Sequence, residues 1–502
     1  MKILLVNPPW KQDDRTGVRA GSRWPHLKIP EEERYMPFPF YLAYATALLK
    51  KNNINAKAID AISENLSYNE FEKKVKKFSP DLLFSEVSTP SLIHDLKLLK
   101  KLKENNKCLL AISGPDINIR SKLFLEKHEF IDFVFVGEYE HIILEVAKKL
   151  KLKEFNEIKG IIFRNKNEII INEKRPLLKE LDSLPWPDRN DFPMFNYHDC
   201  PGGIPEPSAQ MWASRGCPYQ CTFCAWPQLM YEGSNYRTRN VDNVVNEIEF
   251  LVKKKGFRSI YFDDDTFNIG KKRMIDFGNK LKKKNLRIPW AFMGRADLSD
   301  KETLSVLRNS GLHAVKYGME SGVQRLVDNA NKNLNLKKAI KNILATKELG
   351  IKIHLTFTFG LPGETKQTIR QTINLVKFLN PDSVQFSITT PFPGTKFYEK
   401  MKKEGKIISN DWNEYDGNTK SVIKTNDLSA IELKAAQDFA YKEWYNFKHL
   451  TQRYSKLSPF NLFIMCLKEN GPKFTVIKTF KYIKNKHYNY FLKNYKKEKI
   501  QI

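Results

Sequence analysis

Hydrophobic and polar positions alternate in two rhythms along the chain. Short apolar runs of strand type, at 2–6, 55–61, 82–88, 108–113 and 133–137, are separated by amphipathic stretches such as 38–52 and 93–105. Buried strands divided by helices predict a parallel, doubly wound α/β sheet over residues 1–145. Residues 11–34 show neither rhythm and are expected to form a long loop, a length usually tied to function or mobility. The segment 159–173 has two apolar halves around Asn165-Lys166-Asn167 and predicts a β-hairpin. Prolines and scattered acids over 180–196 have linker composition. Strand-like runs return at 209–213, 258–263, 289–293, 313–319, 353–359 and 383–388, with helices such as 241–254 and 366–378 between them. Six such units predict a partial, TIM-like (β/α)6 barrel with its site at the carboxyl ends of the strands. A C-terminal helical region begins with a capped helix at 430–447. The expected divisions are 1–145, 146–204, 205–425 and 426–502.

Charge adds a question of partners. The 502 residues carry 84 Lys+Arg against 57 Asp+Glu, a formal charge of +27. An excess of this size suits nucleic acid, an anionic membrane surface, acidic substrates or simply a solvated lysine-rich surface. It is densest at 471–502, where nine Lys and one acid, Glu498, are interleaved with aromatics. A lid packing its aromatics on the barrel is the favoured role for this tail. Peripheral membrane contact comes next, and nucleic acid is disfavoured. The first residues lack a cleavage site and no run approaches the ~18 apolar residues of a membrane span, so a cytoplasmic location is expected, with membrane contact through the tail as an option.

Cysteine usage points to chemistry. Of six cysteines, Cys217, Cys221 and Cys224 are clustered as C-x3-C-x2-C within Ser214-Arg215-Gly216-Cys217-Pro218-Tyr219-Gln220-Cys221-Thr222-Phe223-Cys224. Three thiolates this close make a ligand set for a soft metal. A structural zinc site would want a fourth Cys or His nearby, and the next cysteine is Cys466. Three protein ligands leave one coordination position open.

This loop, with Phe223 at its aromatic position, resembles the radical S-adenosylmethionine (SAM) family, whose cysteines hold a [4Fe–4S] cluster on three irons. The text KILLVNPP, PFPFYLAYATALLKK, STPS, SGPD and DFVFVGEYE resembles the flavodoxin-like (Rossmann-type) cobalamin-binding domain that precedes many radical SAM domains, and LDSLPWPDR its connector. The resemblance implies a [4Fe–4S] cluster on Cys217, Cys221 and Cys224, SAM, and cobalamin bound without a protein histidine ligand. Cobalamin would meet Ser88, Thr89, Gly114, Pro115, Gly137 and Glu138 at the strand ends. SAM would meet Asp263, Asp264 and Asp265 with its ammonium and Arg295 with its carboxylate, followed by Glu320 and the turn Gly360, Gly363 and Glu364. Here the ammonium loop is Asp-Asp-Asp rather than Gly-Gly-Glu.

The expected function is a cobalamin-dependent radical SAM enzyme, most simply a C-methyltransferase acting on a small-molecule or lipid-linked substrate. It would need an external electron donor such as flavodoxin or ferredoxin. Cyclisation, rearrangement or oxidation without net methyl transfer is the alternative. A non-catalytic metal protein gripping nucleic acid explains the cysteines but not the ordered strand-end motifs.

Overall fold

The computed structural model describes residues 1–28, 34–166 and 168–455. The chain opens on β1 (Lys2–Asn7) and runs through a meander of β2 (Lys11–Gln12), β3 (Arg15–Ala20) and β4 (Arg23–Lys28). Strands β5 (Asn55–Asp60), β6 (Leu82–Glu86), β7 (Leu109–Ser113) and β8 (Phe133–Phe135) follow, then the hairpin β9 (Ile161–Asn165) and β10 (Glu168–Ile171). The sheet order is β10-β9-β8-β7-β6-β1-β5, and β5, β1, β6, β7 and β8 are parallel. That is the flavodoxin-like order, in which ligands bind at the carboxyl ends of the strands. Helices α1 (Phe40–Lys51), α2 (Tyr68–Phe78), α3 (Leu92–Asn105), α4 (Pro115–Lys127) and α5 (Glu140–Lys149) cover it. One face packs on α1 and α5 through Leu42, Leu49 and Ile143, the other on α2, α3 and α4 through Phe71, Leu99 and Leu125. Strands so covered must be apolar on both sides, which is why the sequence shows them as continuous runs.

Two features depart from the sequence pattern. Residues 11–28 are the antiparallel meander rather than a loop, pinned by a buried ion pair between Arg19 and Asp95. That contact is remote in sequence, so local periodicity could not announce it. The hairpin, expected in a connecting segment, pairs β9 antiparallel with β8 and extends the first sheet.

The second sheet begins at β11 (Ser208–Met211). A ribbon of β12 (Ser214–Gly216) and β13 (Tyr236–Thr238) brackets the cysteine loop, which runs into α6 (Ala225–Met230). Strands β14 (Ser259–Phe262), β15 (Trp290–Gly294), β16 (Leu312–Glu320), β17 (Lys352–Phe359) and β18 (Ser383–Ile388) complete it. The order is β11-β14-β15-β16-β17-β18 with all neighbours parallel. Among the described residues β11 and β18 do not pair, so the sheet is open, as a partial barrel requires. The chain's last described helix, Ala430–Ser455, packs Leu433, Ala440 and Trp444 into the same core. The basic tail at 471–502 lies outside the described residues.

The core on one face of the first sheet reaches into the second half of the chain. Trp212, Trp226 and Tyr231 of the second half pack with the α1 aromatics of the first, and Phe40 stacks on Trp212 at 4.3 Å. The cysteine loop lies directly beyond this junction.

Candidate active site

The loop is held from every side by residues distant in sequence. Gly216 has φ 81°, and a Cβ there would lie 1.8 Å from the Asn235 carbonyl oxygen, so only glycine can turn the chain into Cys217. Asp265 accepts the Gly216 N–H at 3.1 Å. Asp264 accepts the Ala213 N–H at 3.1 Å and the Ser214 hydroxyl. The Gln228 amide donates to the carbonyls of Cys221, Thr222 and Cys224 at 3.0, 3.1 and 2.7 Å. On the far side, Thr222 N–H donates to the Ala330 carbonyl at 2.9 Å and Asn331 Nδ2 to that of Gln220 at 2.9 Å. The Arg295 guanidinium lies 3.6 Å from the centroid of Tyr219.

All three loop cysteines are free and partly exposed. Burial pushes each thiol up, Cys224 well above its ordinary value, and Cys217 and Cys221 push Cys224 further, as like charges within reach of one another do. The Lys332 charge opposes this at all three. Among the described residues no three His, Cys, Asp or Glu converge on one ion. A multi-iron cluster asks something different, one thiolate per iron. Three neighbouring free thiols in one short loop fit that demand.

The other expected site residues sit around this loop, and most are engaged within the protein. Asp263 accepts Trp24 Nε1 at 3.2 Å, and Asp265 pairs with Arg23 at 3.2 Å, so the meander is fastened to the carboxyl end of β14. Burial raises all three of these carboxyls, Asp264 to about 6. Arg295 uses four of its five donors, two on Asp297 at 3.1 and 2.9 Å and one each on the Lys332 and Asn333 carbonyls at 2.8 Å. Glu320 binds the buried Lys332 at 2.8 Å. Glu364 closes its own turn, accepting the Gly360 N–H at 2.9 Å and the Thr368 hydroxyl at 3.2 Å, and burial raises it to about 7. The turn borders a cavity of about 540 Å³ lined by Asn329, Gly360, Pro362, Gly363, Met401 and Lys406, among others.

At the carboxyl end of the first sheet, Ser88 hydrogen-bonds Ser91 at 2.7 Å and Thr89 is buried. Gly114 and Pro115 start α4, and a Cβ on Gly114 would lie 2.2 Å from the Val87 carbonyl oxygen. Gly137 faces open space, with nothing within 4 Å of the position its Cβ would take. Glu138 is wholly engaged: it pairs with Arg215 at 3.1 Å and Arg237 at 2.7 Å and accepts the Leu178 N–H at 2.9 Å. Glu140 also takes Arg215. Arg215, Lys332, Arg23 and Tyr219 are thus site-building residues that spacing alone did not single out. The one available signal was Arg215 sitting inside the cysteine motif, opposite a strand end carrying two glutamates.

Residues 213–376 match the model of the Radical SAM superfamily, so the chain carries a radical SAM domain. It is 28% identical over 448 residues to an uncharacterized methyltransferase of Pyrococcus horikoshii, covering 89% of this chain and 92% of that protein. It is 26% identical over 462 residues to the anaerobic magnesium-protoporphyrin IX monomethyl ester cyclase of Cereibacter sphaeroides, covering 90% and 71%. Among solved structures it is similar to the cobalamin-dependent SAM radical enzyme OxsB with aqua-cobalamin and SAM bound (TM-score 0.68, 16% identity, 96% of this chain and 75% of that one). It is also similar to the radical SAM methyltransferase TsrM of Kitasatospora setae with cobalamin and a [4Fe–4S] cluster bound (TM-score 0.62, 16% identity, 80% and 75%). The chain has the fold of the cobalamin-dependent radical SAM enzymes.

Proposed function

We propose that the chain is a cobalamin-dependent radical SAM enzyme, and that it transfers a methyl group to carbon. The observation that carries this is the free-thiol loop of Cys217, Cys221 and Cys224, braced at the junction of the two sheets. When bound, the cluster, SAM and cobalamin supply one-electron cleavage, a carbon radical and a transferable methyl group. The chain's own residues supply position. Cys217, Cys221 and Cys224 hold the iron, and Gln228, Asp264 and Asp265 fix the backbone that presents them. Asp263–Asp265 and Arg295 act on SAM mainly by shaping this loop, since their polar atoms already have protein partners. Glu320 and the Gly360–Glu364 turn line the remaining SAM surface, the turn with its backbone beside the cavity of about 540 Å³. Cobalamin would lie at the carboxyl end of the first sheet, where Gly137 leaves space and Ser88, Thr89, Gly114 and Pro115 form the edge. Glu138 would support it indirectly, by docking that end onto Arg215.

The substrate class is a small or lipid-linked molecule, and the electron comes from a donor of flavodoxin or ferredoxin type. Among the described residues no helix is long and apolar enough to cross a membrane. The divisions 1–145, 146–204, 205–425 and 426–502 are retained as the proposed organisation, with the 159–173 hairpin belonging by pairing to the first sheet.

Similarity to the ester cyclase favours a second reading, ring closure or oxidation without net methyl transfer. Anaerobic turnover with SAM carrying a deuterated methyl group separates the two. Methyl transfer predicts a product heavier by the labelled methyl and consumption of a methylcobalamin absorption band. An unlabelled product formed with the cobalamin band unchanged would favour the second reading.

A further inference from the structure

We propose that Lys332 sets the charge behind the cysteine loop, its buried ammonium raising the reduction potential of the iron–sulfur centre on Cys217, Cys221 and Cys224. The proposal rests on the assignment of that centre to these residues.

Lys332 is 7% exposed and its Nζ sits 2.8 Å from Glu320 Oε1. A buried Lys–Glu pair is weak as a source of stability, because desolvating both ions offsets their attraction. The chain nevertheless goes to some length to build this one. Glu320 ends β16 with φ 65°, a conformation costly for a residue with a side chain, and the register shifts between Gly318 and Glu320. A Cβ on Gly318 would come within 2.7 Å of Glu320 Oε1 and 3.2 Å of Lys332 Nζ, so glycine leaves the room the pair needs. Asn331 and Asn333, on either side of Lys332, are both left-handed, with φ 53° and 49°.

The lysine's backbone is tied to the cysteine loop. Ala330 accepts from Thr222, Asn331 donates to Gln220, and the Lys332 and Asn333 carbonyls take Arg295, which stacks on Tyr219 between Cys217 and Cys221. The Lys332 ammonium is thus buried, with Glu320 as its partner, in the segment hydrogen-bonded to the back of the cysteine loop.

Reduction adds one electron to the centre, taken from the external donor, and makes or breaks no bond. The added negative charge is stabilised by a cation held in a site of low dielectric, and net charge is one of the terms that set such potentials.

The test is a redox titration of the anaerobically reconstituted full chain, without SAM, followed by the EPR signal of the reduced centre. Lys332→Arg keeps the charge and is expected to titrate as wild type. In Lys332→Met the reduced-to-oxidised ratio at a fixed solution potential should fall about tenfold, ~59 mV for a one-electron couple. Lys332→Met leaves Glu320 buried alone and risks misfolding. The double variant Lys332→Met, Glu320→Gln removes both charges and should shift in the same direction. Either variant binding its centre with an unchanged potential overturns the proposal. A wild-type chain that takes up no iron–sulfur centre overturns the site assignment, and the proposal with it.

Discussion

Arg215 meets Glu138 at 3.1 Å across the junction of the two sheets, two positions before Cys217. Both side chains are buried, and the guanidinium also lies over Tyr41 at 4.7 Å and Tyr44 at 5.0 Å. A contact between the first sheet and the cysteine motif therefore positions the start of the loop. Arg215→Met should strand the buried Glu140, leave Glu138 to Arg237 alone, and cost about 3–5 kcal/mol. Urea denaturation gives the value, and a midpoint equal to wild type would show that the pair does not hold the junction.

Tyr219 is expected to act through its ring. Tyr219→Phe keeps the face that Arg295 covers and should bind iron as wild type does. Tyr219→Ala removes a partly exposed cation–π contact of about 1 kcal/mol. It should lower iron per chain after reconstitution. Equal iron in both variants would contradict this role.

Glu364 makes stability depend on pH. Its carboxyl rises from 4.5 to about 7 because it is buried. The folded chain therefore holds this proton where the unfolded chain has lost it. The contribution is complete below about pH 4.5 and is lost as pH rises through about 7. At about 1.4 kcal/mol per pKa unit the loss is at most ~3.5 kcal/mol. Glu364→Gln should flatten the slope of unfolding free energy between these limits. A variant with the wild-type slope would assign the pH dependence elsewhere.

Much of the fold was legible because it rests on local patterns. Runs such as Lys2–Asn7 and Lys352–Phe359 are apolar enough to read as covered strands, and their order followed from the helices between them. The cysteine loop was legible from spacing alone. The meander was not, because its anchor joins Arg19 to Asp95, 76 positions away, within a stretch of mixed polarity. Arg295 was legible as a strand-end cation but not as a residue with four donors already engaged. Lys332 carried no signal at all. It sits between two asparagines, and its importance comes from the turn they make.

The most direct measurement is 5′-deoxyadenosine formed from SAM and a strong reductant by the anaerobically reconstituted chain, beside the Cys217→Ala, Cys221→Ala, Cys224→Ala triple variant. The wild-type chain should be brown, show the EPR signal of a reduced [4Fe–4S] cluster and release 5′-deoxyadenosine, and the triple variant should do none of these. Equal yield of 5′-deoxyadenosine from both proteins would contradict the assignment of the cluster to this loop.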